Sequence, residues 1–260
     1  MRRLLVSALL MAVAACAKPA EKPAADTTAM APAPAPAPPM AYVAVIYHTP
    51  KSASAFEKYY WSSHIPMVGT KQAEVGWVAA ELTKFDHNLD GKAPSEYRQA
   101  VLWFKSMADL EKGIATPGFK AIGDDLKNFA TGGLVGLIGT ETGQHADLLA
   151  GDTTSFVTVI YKTPTDAAAF ETYYNATHLP LVVSKASEIG FTRAELSKFD
   201  KNLDGTTPPA FYRQAKLYFP SAAALKTGTS TPGFKAVGDN LPQFATGGLL
   251  ALIGHITTKP

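Results

Sequence analysis

Two short stretches of the sequence contain side chains suited to acid–base chemistry. YYWSSHIPMV begins at Tyr59 and YYNATHLPLV begins at Tyr173, so the pattern Tyr-Tyr-x-x-x-His-x-Pro-x-Val occurs twice in one chain. Histidine has an ordinary pKa close to neutral pH, so its imidazole can accept or donate a proton there. His64 and His178 are therefore the first candidates for general acid–base catalysis.

A structural role explains the same two histidines. Only His64 and His178, of the six histidines, occupy matching places in the two copies, but a histidine at a helix end is also satisfied by a backbone carbonyl. Pro66 disfavours helical geometry at Ile65, so we expect the helix to end at or near His64. There the negative end of the helix dipole would raise the pKa of the imidazole, whereas burial would lower it. The sequence leaves both roles open.

Aromatic side chains precede each histidine at helical spacing. The residues four and eight positions before each histidine share its helix face and are predicted to contact a substrate; they are Tyr60, Phe56, Tyr174 and Phe170. Tyr47 and Tyr161 end predicted strands, and their hydroxyls are candidates to polarise a substrate carbonyl beside the histidines. A tyrosine at a strand end also commonly packs with its hydroxyl in water, which is the alternative.

Two carboxylates are further candidates. By alternation along a strand, Glu81 shares one face with Trp77 and Phe85, and Glu195 repeats this arrangement. A carboxylate whose surroundings raise its pKa serves as a base or contacts a substrate. The favoured alternative is a salt bridge across the hairpin to Arg98 or Arg213.

The sequence predicts no metal site and no cofactor. Asp86-x-Asn88-x-Asp90-Gly91 is similar to the start of a calcium loop, but Tyr97 stands where that loop needs its last glutamate. No glycine-rich phosphate loop, nucleophile elbow or His-x-x-x-His pair is present in the sequence. Without Arg2 and Arg3, basic and acidic residues are equal in number and form no basic stripe, so nucleic acid is not an expected partner.

The first residues have the pattern of a secretory signal, predicted to span 1–15. Cys16, the only cysteine, follows Val-Ala-Ala, which is similar to a bacterial lipobox and implies lipidation of Cys16. A plain signal peptide with an incidental cysteine is the alternative. Residues 16–40 are rich in Ala and Pro, which favours an extended tether. Because Ala17 follows the cysteine, we expect a lipid anchor in the outer membrane, facing the periplasm, as the only membrane contact.

Most of the remaining chain is a tandem repeat. Val45–Tyr47 returns 114 residues later and Thr116–Phe119 returns 115 residues later, so one inserted loop residue separates two copies. We predict a first unit at 41–143, a linker at 144–154 and a second unit at 155–260. Repetition of about a hundred residues indicates two copies of one small fold.

Each copy has the pattern strand-helix-strand-strand-helix-strand, which is the ferredoxin-like βαββαβ arrangement of the α+β class. In the first copy the predicted strands are Tyr42–Tyr47, Trp77–Phe85, Arg98–Phe104 and Leu134–Ile138. Helices cover one face of such a sheet, yet alternation makes the other face apolar as well. Two sheets packed face to face would bury both.

The repeated motifs together resemble the EthD family of the dimeric α/β-barrel superfamily. The resemblance rests on Tyr-x-Thr-Pro at the end of the first strand, Phe-Glu-x-Tyr-Tyr-x-x-x-His-x-Pro and the closing glycine-bounded strand, and it covers 41–140 and 155–257. It implies an intramolecular dimeric α/β barrel that is monomeric in solution, where ordinary members pair two chains.

The resemblance also implies a function. The superfamily acts on aromatic or quinone-like molecules, in some members without metal or organic cofactor. We therefore expect an apolar small-molecule substrate and either proton transfer by His64 and His178 or oxidoreductase-type chemistry. A non-catalytic lipoprotein that binds a hydrophobic ligand is the alternative from another class. Haem binding is a third, because some superfamily relatives carry haem on a histidine, though at other positions.

Overall fold

Eight strands form one sheet in the computed structural model, which describes residues 40–142 and 155–258. The predicted strands are all present, and most extend further than the sequence suggested. The strands of the N-terminal unit are β1 (Ala41–His48), β2 (Ala79–Asn88), β3 (Glu96–Phe104) and β4 (Leu134–Glu141). Those of the C-terminal unit are β5 (Ser155–Tyr161), β6 (Arg193–Asn202), β7 (Arg213–Phe219) and β8 (Leu249–Ile256).

The sheet closes on itself as a barrel with the strand order β1-β3-β2-β8-β5-β7-β6-β4. Strand β4 pairs with β1 of its own unit and with β6 of the other, and β8 pairs with β5 and β2 in the same way. All these pairs are antiparallel. The predicted fold class, two ferredoxin-like units forming an intramolecular α/β barrel, is confirmed. We expected the two sheets only to pack face to face. In the structure they also pair along both edges, through β2 with β8 and β4 with β6.

Helices cover the outside of the barrel. In the N-terminal unit they are α1 (Ala53–Tyr59), α2 (Ile65–Thr70), α3 (Gln72–Val75), α4 (Met107–Ile114) and α5 (Pro117–Asp125). In the C-terminal unit they are α6 (Ala167–Tyr173), α7 (Leu179–Ile189), α8 (Ala222–Gly228) and α9 (Pro232–Asn240). A single π-helical turn joins α1 to α2 over Tyr60–His64, and another joins α6 to α7 over Tyr174–His178.

The start of α5 shows why Thr-Pro-Gly recurs in both units. The Thr116 hydroxyl accepts a hydrogen bond from the Phe119 amide, and Pro117 occupies the first turn, where a missing N–H costs nothing. The Gly118 amide donates to Glu74 at 2.7 Å, and a Cβ at Gly118 would lie 2.4 Å from that carboxylate. Any larger residue at this position would therefore displace the Glu74 carboxylate that joins α3 to the start of α5.

Side chains alternate between the barrel interior and the helices. On β1, Tyr42, Ala44 and Ile46 point into the interior core, while Val43 and Tyr47 face the helices. The prediction that Trp77 shares a face with Phe85 was wrong. Strand β2 begins at Ala79, so Trp77 lies before it and packs under the helices, whereas Phe85 lies in the barrel.

The barrel interior also contains a buried ionic cluster that joins the two units. Lys216 of β7 donates to Glu81 of β2 at 2.7 Å, and the Tyr218 hydroxyl lies within hydrogen-bond distance of both Glu81 and Glu195. Burial lowers the pKa of Lys216, but Glu81 and Glu195 outweigh it and the pKa lies above its ordinary value. Burial raises the pKa of Glu195, which Lys216 opposes only in part. Val101 occupies the place of Lys216 in the N-terminal unit, so the cluster is not symmetric.

Candidate functional site

A bidentate ion pair fixes α1 to the sheet. The Arg98 guanidinium donates to the two Glu57 oxygens at 2.9 and 2.7 Å, and the Tyr97 hydroxyl donates to the same carboxylate at 2.6 Å. Burial acts to raise the pKa of Glu57, but these hydrogen bonds outweigh it and hold the pKa below its ordinary value. Arg213, Tyr212 and Glu171 repeat the arrangement in the C-terminal unit. The expected salt bridges from Arg98 and Arg213 to Glu81 and Glu195 are absent from the described ion pairs, since those arginines face the helices.

The π turn carries the helix through the proline. The Ile65 amide bonds to the Tyr60 carbonyl, five residues back, so the carbonyl four residues before Pro66 need not approach its ring. Leu179 and Tyr174 make the matching bond in the other unit. The prediction that the helix ends at His64 was therefore wrong, because α2 continues to Thr70. His64 does not lie at the negative end of a helix dipole.

A side chain at the end of α5 or α9 orients each histidine. His64 Nδ1 lies 2.8 Å from Asp125 Oδ2, and the other oxygen of Asp125 accepts from Tyr59 and Asn128, each at 2.8 Å. His178 Nδ1 lies 2.9 Å from Asn240 Oδ1. Because Nδ1 is engaged in both cases, Nε2 is the ring nitrogen that remains for a ligand.

Burial sets the protonation state of both histidines. Burial lowers the pKa of His64, and the hydrogen bond and charge of Asp125 oppose it without cancelling it. Burial also lowers the pKa of His178, and only the Asn240 hydrogen bond opposes it. Of the opposing effects on the pKa of each histidine, burial is therefore the larger. Both imidazoles are neutral at pH 7, the form that accepts a proton.

An unpaired phenol lies beside each imidazole. The Tyr60 and His64 rings stack with their centroids 5.7 Å apart, and the Tyr174 and His178 rings do the same at 5.7 Å. Both tyrosines are fully buried, and their hydroxyls have no hydrogen-bond partner. A buried hydroxyl without a partner is costly. Each of these hydroxyls has almost no accessible surface, so a ligand oxygen reaches it only when the tyrosine side chain shifts towards the cavity.

Each histidine and tyrosine pair lines a cavity between the sheet and the helices. The cavity of the C-terminal unit has a volume of about 190 Å³, and that of the N-terminal unit about 70 Å³. Tyr161 lines the first and Tyr47 the second, and both lie on the helix side of their strands. The walls are otherwise almost wholly aliphatic or aromatic. No Lys, Arg, Asp or Glu side chain lines either cavity.

Comparison with known proteins agrees with this architecture. A sequence profile of the EthD domain matches residues 162–248. An uncharacterized 11.0 kDa protein from the thcB-thcC intergenic region of Rhodococcus erythropolis is 32% identical over 102 residues, which cover 39% of this chain and 95% of the relative. The chain belongs to the EthD family. Since almost all of the relative corresponds to 102 residues here, it has the length of one EthD unit.

Solved structures of similar fold extend over both EthD units. An anthrone oxidase-like protein is 15% identical and has a TM-score of 0.57, covering 85% of this chain and 92% of its own. A candidate monooxygenase from Fusobacterium nucleatum is 10% identical and has a TM-score of 0.53, covering 86% of this chain and 94% of its own. At these identities the likeness concerns the fold, and it confirms the dimeric α/β barrel.

The residues predicted to form the EthD site lie in three different places in the structure. His64, His178, Tyr47, Tyr161, Tyr60 and Tyr174 line the two cavities. Phe56 and Phe170 lie behind them in fully buried aromatic clusters, where they support the tyrosines. Glu81 and Glu195 lie inside the barrel on the opposite face of the sheet, in the ionic cluster with Lys216. Cys16, the predicted signal and residues 16–39 of the predicted tether lie outside the described residues.

Sequence reasoning missed Asp125 and Asn240. Each lies about sixty residues from its histidine along the chain, so no local motif links them. A signal was present in the repeat, because Gly-Asp-Asp-Leu at 123–126 is matched by Gly-Asp-Asn-Leu at 238–241. One charged position differs between two otherwise closely matched helix ends.

Residues 40–142 and 155–258 give no support to a metal site, a membrane-spanning helix or a haem site. No three His, Cys, Asp or Glu side chains come together there in a way that could hold a metal ion. No helix within those ranges has the length and apolar character needed to cross a bilayer. Neither cavity would hold a haem, since pockets for drug-sized ligands already occupy roughly 300–1,000 Å³.

Proposed function

We propose that the protein binds an apolar or aromatic small molecule and transfers a proton to or from it, without a cofactor, at His64 and His178. The observation that carries the proposal is the neutral imidazole whose Nδ1 is held by Asp125 or Asn240 and whose ring lines an apolar cavity. A fixed tautomer with a free Nε2 is what a general base requires.

The neighbouring phenol supplies the second half of the chemistry. When a C–H bond next to a ligand carbonyl breaks, the proton moves to Nε2 and negative charge develops on the carbonyl oxygen. The Tyr60 or Tyr174 hydroxyl, which has no other partner, donates a hydrogen bond to that oxygen. An apolar wall strengthens this hydrogen bond by excluding water. The proposed step is therefore an enolisation, the proton-transfer part of an isomerisation or dehydration.

Hydrogen exchange of a simple ketone tests the proposal. Phenylacetone carries an acidic CH₂ beside an aromatic ring, and its exchange in D₂O is followed by proton NMR. We expect the full-length chain to accelerate exchange about 10²- to 10⁴-fold over buffer, which is the usual contribution of a positioned acid or base. The double variant His64→Gln/His178→Gln should lose the acceleration while its circular dichroism spectrum stays unchanged.

The almost wholly apolar walls favour one second candidate, ligand binding without chemistry. Saturable binding of phenylacetone, with exchange equal to that in buffer, supports this candidate and removes proton transfer from the account. Full exchange activity in the double variant would remove the histidines from the mechanism.

We also propose that lipid on Cys16 anchors the protein in the bacterial cell envelope. The anchor would lie in the outer membrane, and the protein would bind its ligand on the periplasmic side. The proposal is supported by the lipobox-like Val-Ala-Ala-Cys and the following tether rich in Ala and Pro. Radioactive palmitate should label the chain in a bacterial host, and Cys16→Ser should abolish the label. A label that persists in Cys16→Ser would contradict the anchor.

A further inference from the structure

The two EthD sites differ at several matched positions, and three of these differences bear directly on what can bind. Asn240 stands in the place of Asp125, Phe191 in the place of Trp77 and Val237 in the place of Ile122. The smaller residues belong to the C-terminal unit, which has the larger cavity. The charged orienting residue belongs to the N-terminal unit.

Cavity volume distinguishes what each unit can hold. An apolar cavity of roughly 150 Å³ in another protein admits benzene. The C-terminal cavity, at about 190 Å³, therefore has room for one aromatic ring with a small substituent. The N-terminal cavity, at about 70 Å³, does not have room for a ring without rearrangement.

The entrance to the C-terminal cavity is also apolar and open. Leu89, from the β2–β3 loop of the other unit, and Val183 of α7 both line it, with exposed fractions of 38% and 72%. The Leu89 amide donates to the Ala251 carbonyl at 2.8 Å, which fixes the loop over β8. In the N-terminal unit Leu203 is only partly exposed and Gly69 stands in the place of Val183.

A chain of hydrogen bonds defines the polar requirement of the C-terminal cavity. The Asn240 amide nitrogen donates to the Tyr173 hydroxyl at 2.9 Å, so the Asn240 oxygen must accept from His178 Nδ1–H. His178 Nε2 then carries a lone pair and needs a donor from the ligand. The unpartnered Tyr174 hydroxyl needs an acceptor. One ligand hydroxyl satisfies both when the Tyr174 side chain shifts so that its buried hydroxyl reaches the cavity.

We propose that the C-terminal cavity, and not the smaller N-terminal one, binds aromatic ligands and that its ligand is an uncharged phenol with a single ring. The ring fills the apolar cavity, and the phenolic O–H donates to His178 Nε2 and accepts from Tyr174. A charged ligand is disfavoured because no charged side chain lines the cavity to offset its desolvation. The proposal deepens the proposed function and rests on it for the participation of His178, but its test measures binding and not exchange.

Calorimetric titration of the full-length chain with p-cresol and with toluene tests both parts of the proposal. The two probes share a ring and a methyl group and differ by the hydroxyl. We expect one p-cresol per chain, bound about tenfold more tightly than toluene, because the hydroxyl makes hydrogen bonds in a dry site. His178→Gln should weaken p-cresol binding and leave toluene binding unchanged.

Two matched substitutions locate the site. Val182 and Val68 occupy equivalent partly buried positions lining the two cavities. Val182→Phe should abolish p-cresol binding, whereas Val68→Phe should preserve it. If Val182→Phe unfolds, the smaller filling substitution Ala186→Leu at the same wall replaces it.

Three results would overturn the proposal: two bound p-cresol molecules per chain, loss of binding in Val68→Phe instead of Val182→Phe, or equal affinity for toluene and p-cresol. None of them bears on the exchange of phenylacetone. Conversely, p-cresol binding with the expected pattern but no phenylacetone exchange would leave the phenol site standing and remove proton transfer.

Discussion

His64 Nδ1 lies 2.8 Å from a carboxylate oxygen of Asp125, whereas His178 Nδ1 lies 2.9 Å from the amide oxygen of Asn240. The geometry of the two contacts is almost the same, and their electrostatics are not. Asp125 favours an imidazolium through both its hydrogen bond and its charge, whereas Asn240 does so through its hydrogen bond alone. The duplicated chain thus holds two versions of one site that differ in the charge beside the imidazole.

Exchange of the two orienting residues should move the histidine pKa values in opposite directions. Asp125→Asn removes the charge that opposes burial, so the pKa of His64 should fall further below its ordinary value. Asn240→Asp adds such a charge, so the pKa of His178 should rise. Titration of the histidine ring protons by NMR measures both. In each variant the histidine of the other unit is the control, and a pKa that moves in both units would contradict local tuning.

The same lowered pKa values make folding stability depend on pH. The unfolded chain binds protons at histidine with a pKa of about 6.5. The folded chain binds them less readily at His64 and His178, so protonation favours unfolding. The stability contributed by neutral histidines is complete above about pH 6.5 and declines as the pH falls towards the lower folded values. Urea unfolding at about pH 7.5 and 5.5 should show this decline, and His64→Gln/His178→Gln should reduce it. An equal decline in both proteins would assign the effect to other groups.

Removal of Lys216 should destabilise the barrel strongly. Lys216→Val introduces the residue that the N-terminal unit has at this position, but it leaves the buried Glu81 carboxylate without its ammonium partner. Loss of one partner from a buried ion pair costs about 3–5 kcal/mol in the free energy of unfolding. Adding Glu81→Gln should recover part of the loss. Lys120→Ala, which breaks an exposed pair with Asp124, is the control and should cost far less than Lys216→Val.

The closed barrel predicts a monomer. Strands β2 and β4, which a single unit would leave as edges, pair with β8 and β6 of the same chain. A second chain therefore finds no free sheet edge among the described strands to extend. Light scattering on the protein in detergent-free buffer after replacement of Cys16 by Ser should give the mass of one chain. A stable dimer would show that another surface, and not the barrel edges, mediates association.

Much of the fold could be predicted because the repeat supplied two independent views of each element. The βαββαβ order of elements along the chain followed from the sequence pattern, whereas the order of the strands in the closed sheet did not. In the structure Tyr47 and His64 line one cavity. The helix end at His64 was predicted wrongly because Pro66 is a strong local signal. The π turn that accommodates it depends on tertiary packing, including the bidentate bonds from Arg98 to Glu57.

The site itself was only half predictable. A histidine with aromatic residues at helical spacing is a local pattern; of the residues it singled out, the histidines and tyrosines line the cavities and Phe56 and Phe170 do not. Asp125 reaches His64 from another helix, and the difference in cavity volume depends on how side chains such as Trp77 pack. Glu81 was misplaced for the same reason, since only the closed barrel brings Lys216 to it.

The central claim is that each imidazole presents an unprotonated Nε2 to its cavity, and nitrogen-15 NMR of the histidine rings tests it most directly. The account predicts the Nδ1–H tautomer for both His64 and His178 at neutral pH, with the Nε2 signal of His178 moving when p-cresol is added. The Nε2–H tautomer at both histidines would leave no base facing either cavity and would contradict the account.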